Sequence, residues 1–359
     1  MAEETQHIEL YKKYRPNRWE DLIGQEKVAR SLQAAVATNK VPTAYLFSGQ
    51  RGCGKTTAAL ILAKAINCEH PVKGNPCNQC DTCISIDEGT QPGVTYVSAA
   101  QNSGVDSIRD MVSKARLQMP IKRQVFILDE VHNLATGKGF EALLIPLEEK
   151  TMPSLFIFCT TEIDKIPRTI LSRTQQRKFR LVDSDALFDH VKAISHKEGF
   201  DLDDEALEYA VKCGKGSVRD TLTALESISS NLDMTDSRNA EVDFITAISN
   251  RSVMETFTVI SEANEDGIDF RDFTEDVFED LRDLLLLSKG CDSSLVGPIP
   301  FQETESIVKG FFGAKGILLA MKELGESITQ MSSGGDPRIL LEVASMRILS
   351  MLSKISKIA

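Results

Sequence analysis

The sequence predicts an α/β domain built on a parallel sheet, followed by two helical domains. Up to about residue 182, short apolar and β-branched runs alternate with amphipathic segments, as expected of a parallel sheet covered by helices. From about Ser184 onward only helical periodicity is found. A glycine-rich loop also separates the first apolar run from the helix that follows it. We therefore expect a sheet domain at 1–182, a small helical domain at 183–241 and a helical C-terminal domain at 242–359.

Length and composition indicate an ordinary cytoplasmic protein that makes no contact with a membrane. The 359 residues are 42% hydrophobic and 26% charged, and no apolar run approaches the eighteen or so residues of a membrane span. The N-terminus lacks the basic and apolar regions of a secretory signal. The net charge of −11 argues against nucleic-acid binding driven by overall charge, although it does not exclude a local basic strip.

The elements follow in chain order. Apolar, β-branched runs predict strands at 44–47, 94–97, 125–128 and 155–159. Amphipathic periodicity predicts the intervening helices at 56–66, 105–117 and 140–149. The same periodicity predicts later helices at 185–198, 204–213, 217–230 and 270–285. Ser184 and Ser217 are the expected N-caps of two of these later helices.

The first predicted strand runs directly into G-Q-R-G-C-G-K-T, which matches the phosphate-binding pattern G-x-x-x-x-G-K-[ST]. In such a loop backbone N–H groups point at phosphate oxygens, Lys55 can reach the β- and γ-phosphates, and Thr56 can hold Mg²⁺. The strand–loop–helix context disfavours the alternative of a chance glycine-rich turn. The residues predicted to contact the nucleotide here are Gly49, Gly52, Cys53, Gly54, Lys55, Thr56 and Thr57.

The predicted strand at 125–128 ends in two carboxylates, Asp129 and Glu130. Asp129 is placed to bind Mg²⁺ through water, and Glu130 to polarise an attacking water as a general base. Alone this pattern is weak, because strands often end in polar residues. Together with the phosphate loop it predicts that the chain hydrolyses a nucleoside triphosphate.

Four of the eight cysteines lie close together, in the spacing C-x8-C-x2-C-x2-C. They are Cys68, Cys77, Cys80 and Cys83. Four thiolates suit tetrahedral Zn²⁺ and leave no open position for water or substrate, so we predict a structural zinc site. A redox role for one of the C-x2-C pairs and an iron–sulfur cluster are the alternatives.

Three features of the sequence, taken together, are specific to one family of proteins. They are the phosphate loop, the four-cysteine insertion directly after its helix, and the L-D-E-V-H run that follows. They resemble the gamma/tau subunits of bacterial DNA polymerase III, the AAA+ ATPases of sliding-clamp loaders. The resemblance runs from Tyr14 to about Ser230 and continues weakly at 336–342. It implies an AAA+ ATPase domain with a zinc module at 68–83, a helical lid domain and a helical collar for oligomerisation.

The resemblance also implies roles for residues outside these motifs. Thr161 matches the sensor-1 position that orders the attacking water, and Arg219 matches the sensor-2 arginine that reaches the γ-phosphate. Arg173 matches the arginine finger of the neighbouring subunit's ATP site, although Thr174 stands where the family motif has cysteine. The positions that match the segment around adenine are Tyr14, Arg15, Pro16 and Ile23.

DNA contacts are predicted from a local basic strip and from the resemblance. Six cations lie between 163 and 180 against the single carboxylate of Asp164, although for any one of them a solvated surface explains the charge equally well. Lys165 matches a DNA-contact position of the family, and the helix that begins near Gly104 and Val105 can present N–H groups to a phosphate. A family lysine that contacts DNA is absent, because Ile145 and Pro146 replace the usual Lys and Thr.

The resemblance implies an ATPase subunit that works with Mg²⁺ and Zn²⁺ in a pentamer containing delta- and delta-prime-like subunits. ATP binding would open a sliding clamp and fit primer–template DNA, and hydrolysis would release the closed clamp. Two alternatives are another AAA+ DNA motor, such as a branch-migration translocase, and a non-hydrolysing structural subunit of the same assembly. The intact loop and the Asp129–Glu130 pair oppose the structural subunit, and the cysteine insertion opposes the translocase.

Overall fold

The computed structural model describes residues 8–99, 104–117, 119–134, 137–149, 152–230, 240–265, 267–291 and 304–356. The chain separates into two compact units, Met1–Ser230 and Asn231–Ala359. The first unit carries the sheet, and the described part of the second is helical.

The described strands of the first unit form one parallel sheet with the order β2-β3-β4-β1-β5. The strands are β1 (Ala44–Ser48), β2 (Val94–Ser98), β3 (Val125–Asp129), β4 (Leu155–Thr160) and β5 (Gln175–Lys178). The first four extend the predicted runs by one residue each. Strand β5 was not predicted, because its residues Q-Q-R-K are polar. This edge strand is held by backbone pairing with β1 and buries little side-chain surface.

The helices of the first unit surround this sheet and continue beyond it. They are α1 (Leu10–Lys13), α2 (Glu26–Ala37), α3 (Lys55–Asn67), α4 (Asp81–Asp87), α5 (Val105–Ala115), α6 (Gly137–Glu148), α7 (Arg168–Leu171), α8 (Ser184–Glu198), α9 (Asp204–Gly214) and α10 (Val218–Ser230). The prediction of Ser184 as an N-cap was wrong: Asp183 caps α8, and its carboxylate accepts from the Asp185 N–H at 3.1 Å. Ser217 does cap α10, because its Oγ accepts from the Asp220 N–H at 3.3 Å.

Both faces of the sheet are buried, so its central strands are apolar without interruption. Along β1, Tyr45 and Phe47 pack into one core with α2 and α3, whereas Ala44 and Leu46 pack into the other with α5 and α6. β3 and β4 alternate in the same way. Because the strands are parallel, the carboxyl ends of β1, β3 and β4 meet at one edge of the sheet. The predicted α/β class with a parallel sheet is confirmed.

The second unit packs its helices around a separate apolar core. They are α11 (Ala240–Ser249), α12 (Val253–Glu265), α13 (Phe270–Ser288), α14 (Thr304–Gly310), α15 (Ala314–Ser332) and α16 (Pro337–Ser356). The predicted helix at 270–285 is α13, which Asp269 caps by accepting from the N–H groups of Arg271 and Asp272. None of the helices that the structure describes is both long enough and apolar enough to cross a membrane.

Candidate nucleotide site

The loop between β1 and α3 is shaped by glycines in left-handed backbone conformations. Gly52 has φ of +75° and Gly54 has φ of +96°, which other residues adopt only at a cost. A Cβ on Gly52 would lie 1.8 Å from the Oγ of Ser217, so this glycine also allows the loop to pack against the start of α10. The loop thereby lies directly beside Val218 and Arg219.

Lys55 begins α3 and is only 6% exposed. Its ammonium group donates to the carbonyl oxygens of Gly49 and Gln50, each at 2.7 Å. A buried cation needs such acceptors, and carbonyl groups can release it to a more strongly accepting phosphate. The Lys55 side chain therefore lies at the loop, as the sequence pattern predicts.

Thr56 lies at the start of α3 and Asp129 at the end of β3, and their side chains are in contact. The Thr56 hydroxyl donates to Oδ2 of Asp129 at 2.8 Å, and the Tyr96 hydroxyl donates to the same oxygen at 2.7 Å. Oδ1 accepts from the Glu130 N–H at 3.0 Å. A hydroxyl and a carboxylate beside an open cleft are oxygen ligands of the kind that Mg²⁺ takes together with waters and phosphates. The residues present fit the ion.

Glu130 follows β3 in a left-handed conformation, with φ of +51°. Its Oε2 accepts from the Thr161 hydroxyl at 3.2 Å and lies 3.4 Å from Nδ1 of His132. The same Nδ1 is 3.1 Å from the Thr160 hydroxyl, and Nε2 is 3.2 Å from a carboxylate oxygen of Glu162. The carboxylate predicted to be the general base is thus held from two sides. His132 was not predicted, because sequence spacing alone gives no indication that its ring turns back toward Glu130.

A cleft of about 620 Å³ opens over these groups, within the size range of small-molecule sites. The predicted residues that line it are Tyr14, Arg15, Pro16, Ile23, Gly52, Cys53, Gly54, Lys55, Thr56, Thr57, Asp129, Glu130 and Arg219. Gly49 and Thr161 do not line the cleft, but the Gly49 carbonyl accepts from Lys55 and the Thr161 hydroxyl donates to Glu130. His190 also lines the cleft, and burial lowers the pKa of its imidazole, which favours the neutral form. Tyr11 and His190 were not predicted from the sequence.

The segment around Tyr14 is fixed to two other parts of the unit. The Tyr14 hydroxyl donates to Glu198 at the end of α8, and this hydrogen bond raises the pKa of Tyr14 to about 12. Lys13 pairs with the same carboxylate at 2.7 Å. Arg15 donates through Nε to the Thr57 hydroxyl in α3 at 3.5 Å. This segment therefore spans from α8 to the helix that follows the phosphate loop.

Arg219 stands at the cleft, with its guanidinium carbon 4.6 Å from the ring centroid of Tyr11. Arg173 does not line the cleft. Its guanidinium donates to Oε1 of Glu148 at 2.5 and 3.0 Å and to the Thr169 carbonyl at 2.8 Å. The structure thus brings one of the two predicted arginines to the phosphate loop and leaves the other outside this site.

The four cysteines of the insertion converge, with every pair of Sγ atoms within 4.8 Å. A zinc–sulfur bond of about 2.3 Å places four tetrahedral sulfurs about 3.8 Å apart, so this cluster fits a zinc ion. Hydrogen bonds from the backbone N–H groups of Gln79 and Cys80 lower the pKa of Cys77 to about 6. Burial raises the pKa of Cys83, so its thiolate requires a nearby cation. The predicted cluster is confirmed as a group of potential ligands.

The predicted DNA contacts lie at the surface. Gly104 precedes α5 without a side-chain cap, and Val105 is the first residue of that helix. Lys165 pairs with Glu162 at 2.7 Å, and more than half of its side chain is exposed. Ile145, which replaces the family's lysine, is 60% exposed on α6.

Comparison with known proteins finds similarity to proteins that are named as subunits of DNA polymerase III. A family model described as "DNA polymerase III, delta subunit" matches residues 24–183. The chain is 34% identical over 353 residues to a protein of Bacillus subtilis named DNA polymerase III subunit tau, covering 94% of this chain and 62% of the relative. It is 33% identical over 365 residues to the gamma/tau subunit of Mycobacterium tuberculosis, covering 95% of this chain and 62% of the relative. The chain thus spans about three fifths of the length of these relatives.

Solved structures also align with the chain. The Bacillus subtilis DNA clamp loader delta protein aligns with a TM-score of 0.38 and 12% identity, covering 89% of this chain and 99% of that one. A RuvB variant of Thermotoga maritima aligns with a TM-score of 0.46 and 18% identity, covering 80% of this chain and 90% of that one. The relatives that match most of this chain, at 33–36% identity, are named as tau or gamma/tau subunits of DNA polymerase III, and the chain is similar to them over most of its length.

Proposed function

We propose that this chain is the ATPase motor subunit of a sliding-clamp loader. The observation that carries the proposal is the meeting of Lys55, the Thr56–Asp129 pair and the Thr161–Glu130 pair at one cleft of a chain that is similar to gamma/tau subunits. These are the groups that phosphate binding, metal binding and water activation require.

Nucleotide binding uses the loop and the two segments beside it. Lys55 leaves its two loop carbonyls for the β- and γ-phosphates, and the loop N–H groups bind the remaining phosphate oxygens. Thr56 and Asp129 would hold Mg²⁺, which would neutralise charge on the phosphates when bound. The base lies against the apolar part of the cleft lining, which includes Tyr14, Arg15, Pro16 and Ile23.

Hydrolysis depends on the orientation of Glu130. Its carboxylate accepts a proton from the attacking water, and Thr161 orients that carboxylate by donating to it. Arg219 contacts the γ-phosphate from α10. Arg173 acts on the site of an adjacent subunit, where it stabilises charge in the transition state. Its place outside its own cleft supports this role in trans.

The proposed assembly is inferred from the similarity to gamma/tau subunits. We place the chain in a cytoplasmic pentamer with delta- and delta-prime-like subunits, where 1–182 is the ATPase domain, 183–241 the lid and 242–359 the collar. The zinc module at 68–83 holds its own loop together and takes no part in hydrolysis. ATP binding opens the clamp and fits primer–template DNA, and hydrolysis resets the assembly.

DNA contact in this proposal uses Lys165 and the N-terminus of α5 at Gly104 and Val105. Lys165 must exchange Glu162 for a phosphate. The exchange is inexpensive, because exposed ion pairs contribute only about 0–1 kcal/mol.

The test is the ATPase activity of the chain assembled with its partner subunits. Turnover should rise when a sliding clamp and primed DNA are added together, and should not rise with branched DNA. Stimulation by branched DNA alone would favour a branch-migration motor instead. An assembled complex with no ATPase activity under any of these conditions would favour a structural subunit.

A further inference from the structure

The N-terminal helix α1 lies against α10, at the wall of the nucleotide cleft. Leu10 is buried, and its N–H lies 3.4 Å from the Glu226 carboxylate of α10. This packing sets Tyr11 on the cleft side, where the ring lines the cleft beside Arg219. Lys13 and Tyr14 fasten the end of the same helix to α8 through Glu198. Tyr11 is therefore carried by a segment that is anchored on both sides.

Arg219 contacts Tyr11 through a cation–π interaction. The guanidinium carbon lies 4.6 Å from the ring centroid, a distance at which a cation is attracted to an aromatic face. Within the part of the chain that the structure describes, no carboxylate or carbonyl accepts a hydrogen bond from this guanidinium, and the nearby carboxylate of Glu9 is paired with Lys12. Its N–H donors are thus left for an incoming anion.

Because Arg219 lies beside the phosphate loop, we expect this anion to be a phosphate. Its Cβ lies 3.5 Å from the point that a Cβ on Gly52 would occupy, so the residue starts in contact with the loop. A guanidinium that lies over an aromatic ring can still form a two-pronged hydrogen bond with a phosphate.

We propose that Tyr11 is a positioning residue for Arg219 and thereby sets the preference of the cleft for nucleoside triphosphate over diphosphate. The inference rests on the proposed function, since it assumes that Arg219 contacts the γ-phosphate. A free arginine side chain loses rotamer freedom when it binds a ligand. The ring removes much of that freedom beforehand, so the cost of ordering Arg219 falls when the triphosphate binds. The diphosphate, which lacks the γ-phosphate, gains nothing from this arrangement.

The test compares the Kd of Mg-ATP with that of Mg-ADP for the full chain. Tyr11→Leu keeps an apolar side chain but loses the aromatic face, whereas Tyr11→Phe keeps the face and loses only the hydroxyl. We expect Tyr11→Leu to weaken ATP binding about fourfold with ADP binding unchanged, and Tyr11→Phe to match the unaltered chain. The unchanged ADP affinity shows at the same time that the variant is folded.

A double variant shows whether Tyr11 acts through Arg219. Arg219→Ala should weaken ATP binding more than Tyr11→Leu does, and Tyr11→Leu in the Arg219→Ala background should have no further effect. An equal loss of ATP and ADP affinity in Tyr11→Leu, or additive losses in the double variant, would overturn the inference. If Lys55→Ala binds ATP as well as the unaltered chain does, the proposed function itself fails, and that outcome is distinct from either of these.

Discussion

The cysteine cluster and the nucleotide cleft differ in how the chain builds them. The cluster takes all its ligands from the short stretch between the end of α3 and the middle of α4. The cleft takes its groups from α1, the phosphate loop, the ends of β3 and β4, and α10. A site of the first kind depends on local spacing, whereas a site of the second kind depends on the whole fold of the unit. Substitutions in the cysteine cluster and substitutions in the nucleotide cleft should therefore have separable effects.

The largest effect on ATP binding is expected at Lys55. Lys55→Ala removes the buried cation of the loop and should weaken ATP binding by at least about a hundredfold, because charge-assisted hydrogen bonds to two phosphates are lost. Isothermal titration with Mg-ATP measures this. The exposed Lys40 provides the matched control, and Lys40→Ala should bind like the unaltered chain. Zinc content should be the same in both variants, and a loss of zinc from Lys55→Ala would contradict the separation of the two sites.

A comparably large effect on turnover, without one on binding, is expected at Arg173. Arg173→Ala should lower clamp- and DNA-stimulated turnover of the assembled complex by about 10³-fold, as for arginine fingers of GTPases. ATP binding by the isolated chain should not change. Glu148→Ala, which removes the carboxylate that holds Arg173 here, should cost far less.

Mixed assemblies decide whether Arg173 acts between subunits. Complexes that contain both Arg173→Ala and Lys55→Ala chains include interfaces with an intact loop on one side and an intact arginine on the other. These interfaces should restore part of the turnover. A mixture that assembles normally but is as inactive as either parent would refute the role in trans.

At the cysteine cluster the expected effect is on metal content and stability. Cys77→Ser should reduce bound zinc from one equivalent toward none and lower the thermal midpoint of the first unit, since metal binding is coupled to local folding. Metal analysis and a thermal melt measure both. Cys291→Ser, at a cysteine outside the cluster, is the control and should change neither. Iron in place of zinc, or a folded chain without metal, would overturn the structural-zinc interpretation.

A smaller effect is expected at His132. His132→Ala removes a ring nitrogen 3.4 Å from Glu130 and should lower turnover about fivefold without changing ATP affinity, the rate equivalent of about 1 kcal/mol. His132→Asn can keep a hydrogen bond from the same side and should recover part of the loss. Steady-state kinetics with a parallel binding measurement separates the two quantities. An equal change in affinity would mean that His132 supports the cleft as a whole.

The difference between the two regions also explains what could be predicted from sequence. All four cysteines of the cluster were predicted, because their close spacing in the sequence brings their sulfur atoms together. They are Cys68, Cys77, Cys80 and Cys83. In the cleft, Lys55 and the Thr56–Asp129 pair were predictable, since the strand–loop–helix pattern and the end of an apolar strand place them at the same sheet edge. The hydrogen bond between Thr56 and Asp129 shows that the two side chains meet.

What could not be predicted depends on packing between segments far apart in the chain. Tyr11 reaches Arg219 only because α1 lies against α10, and His132 reaches Glu130 only because the chain turns back after β3. The polar strand β5 was missed for a related reason: it is stabilised by backbone pairing with β1, which leaves no apolar periodicity in its sequence. At α8 either Asp183 or Ser184 could serve as the N-cap, and in the structure the Asp183 carboxylate accepts the capping hydrogen bond.

The most direct test of the account is a comparison of ATP binding and ATP cleavage in Glu130→Gln. The amide keeps the shape of the carboxylate but cannot accept a proton from water, so we predict Mg-ATP affinity close to that of the unaltered chain and single-turnover cleavage reduced by at least about a hundredfold. The exposed Glu141 supplies the matched control, and Glu141→Gln should cleave ATP normally. If Glu130→Gln cleaves ATP at the normal rate, or loses affinity as severely as Lys55→Ala, the division of roles between Lys55 and Glu130 is wrong.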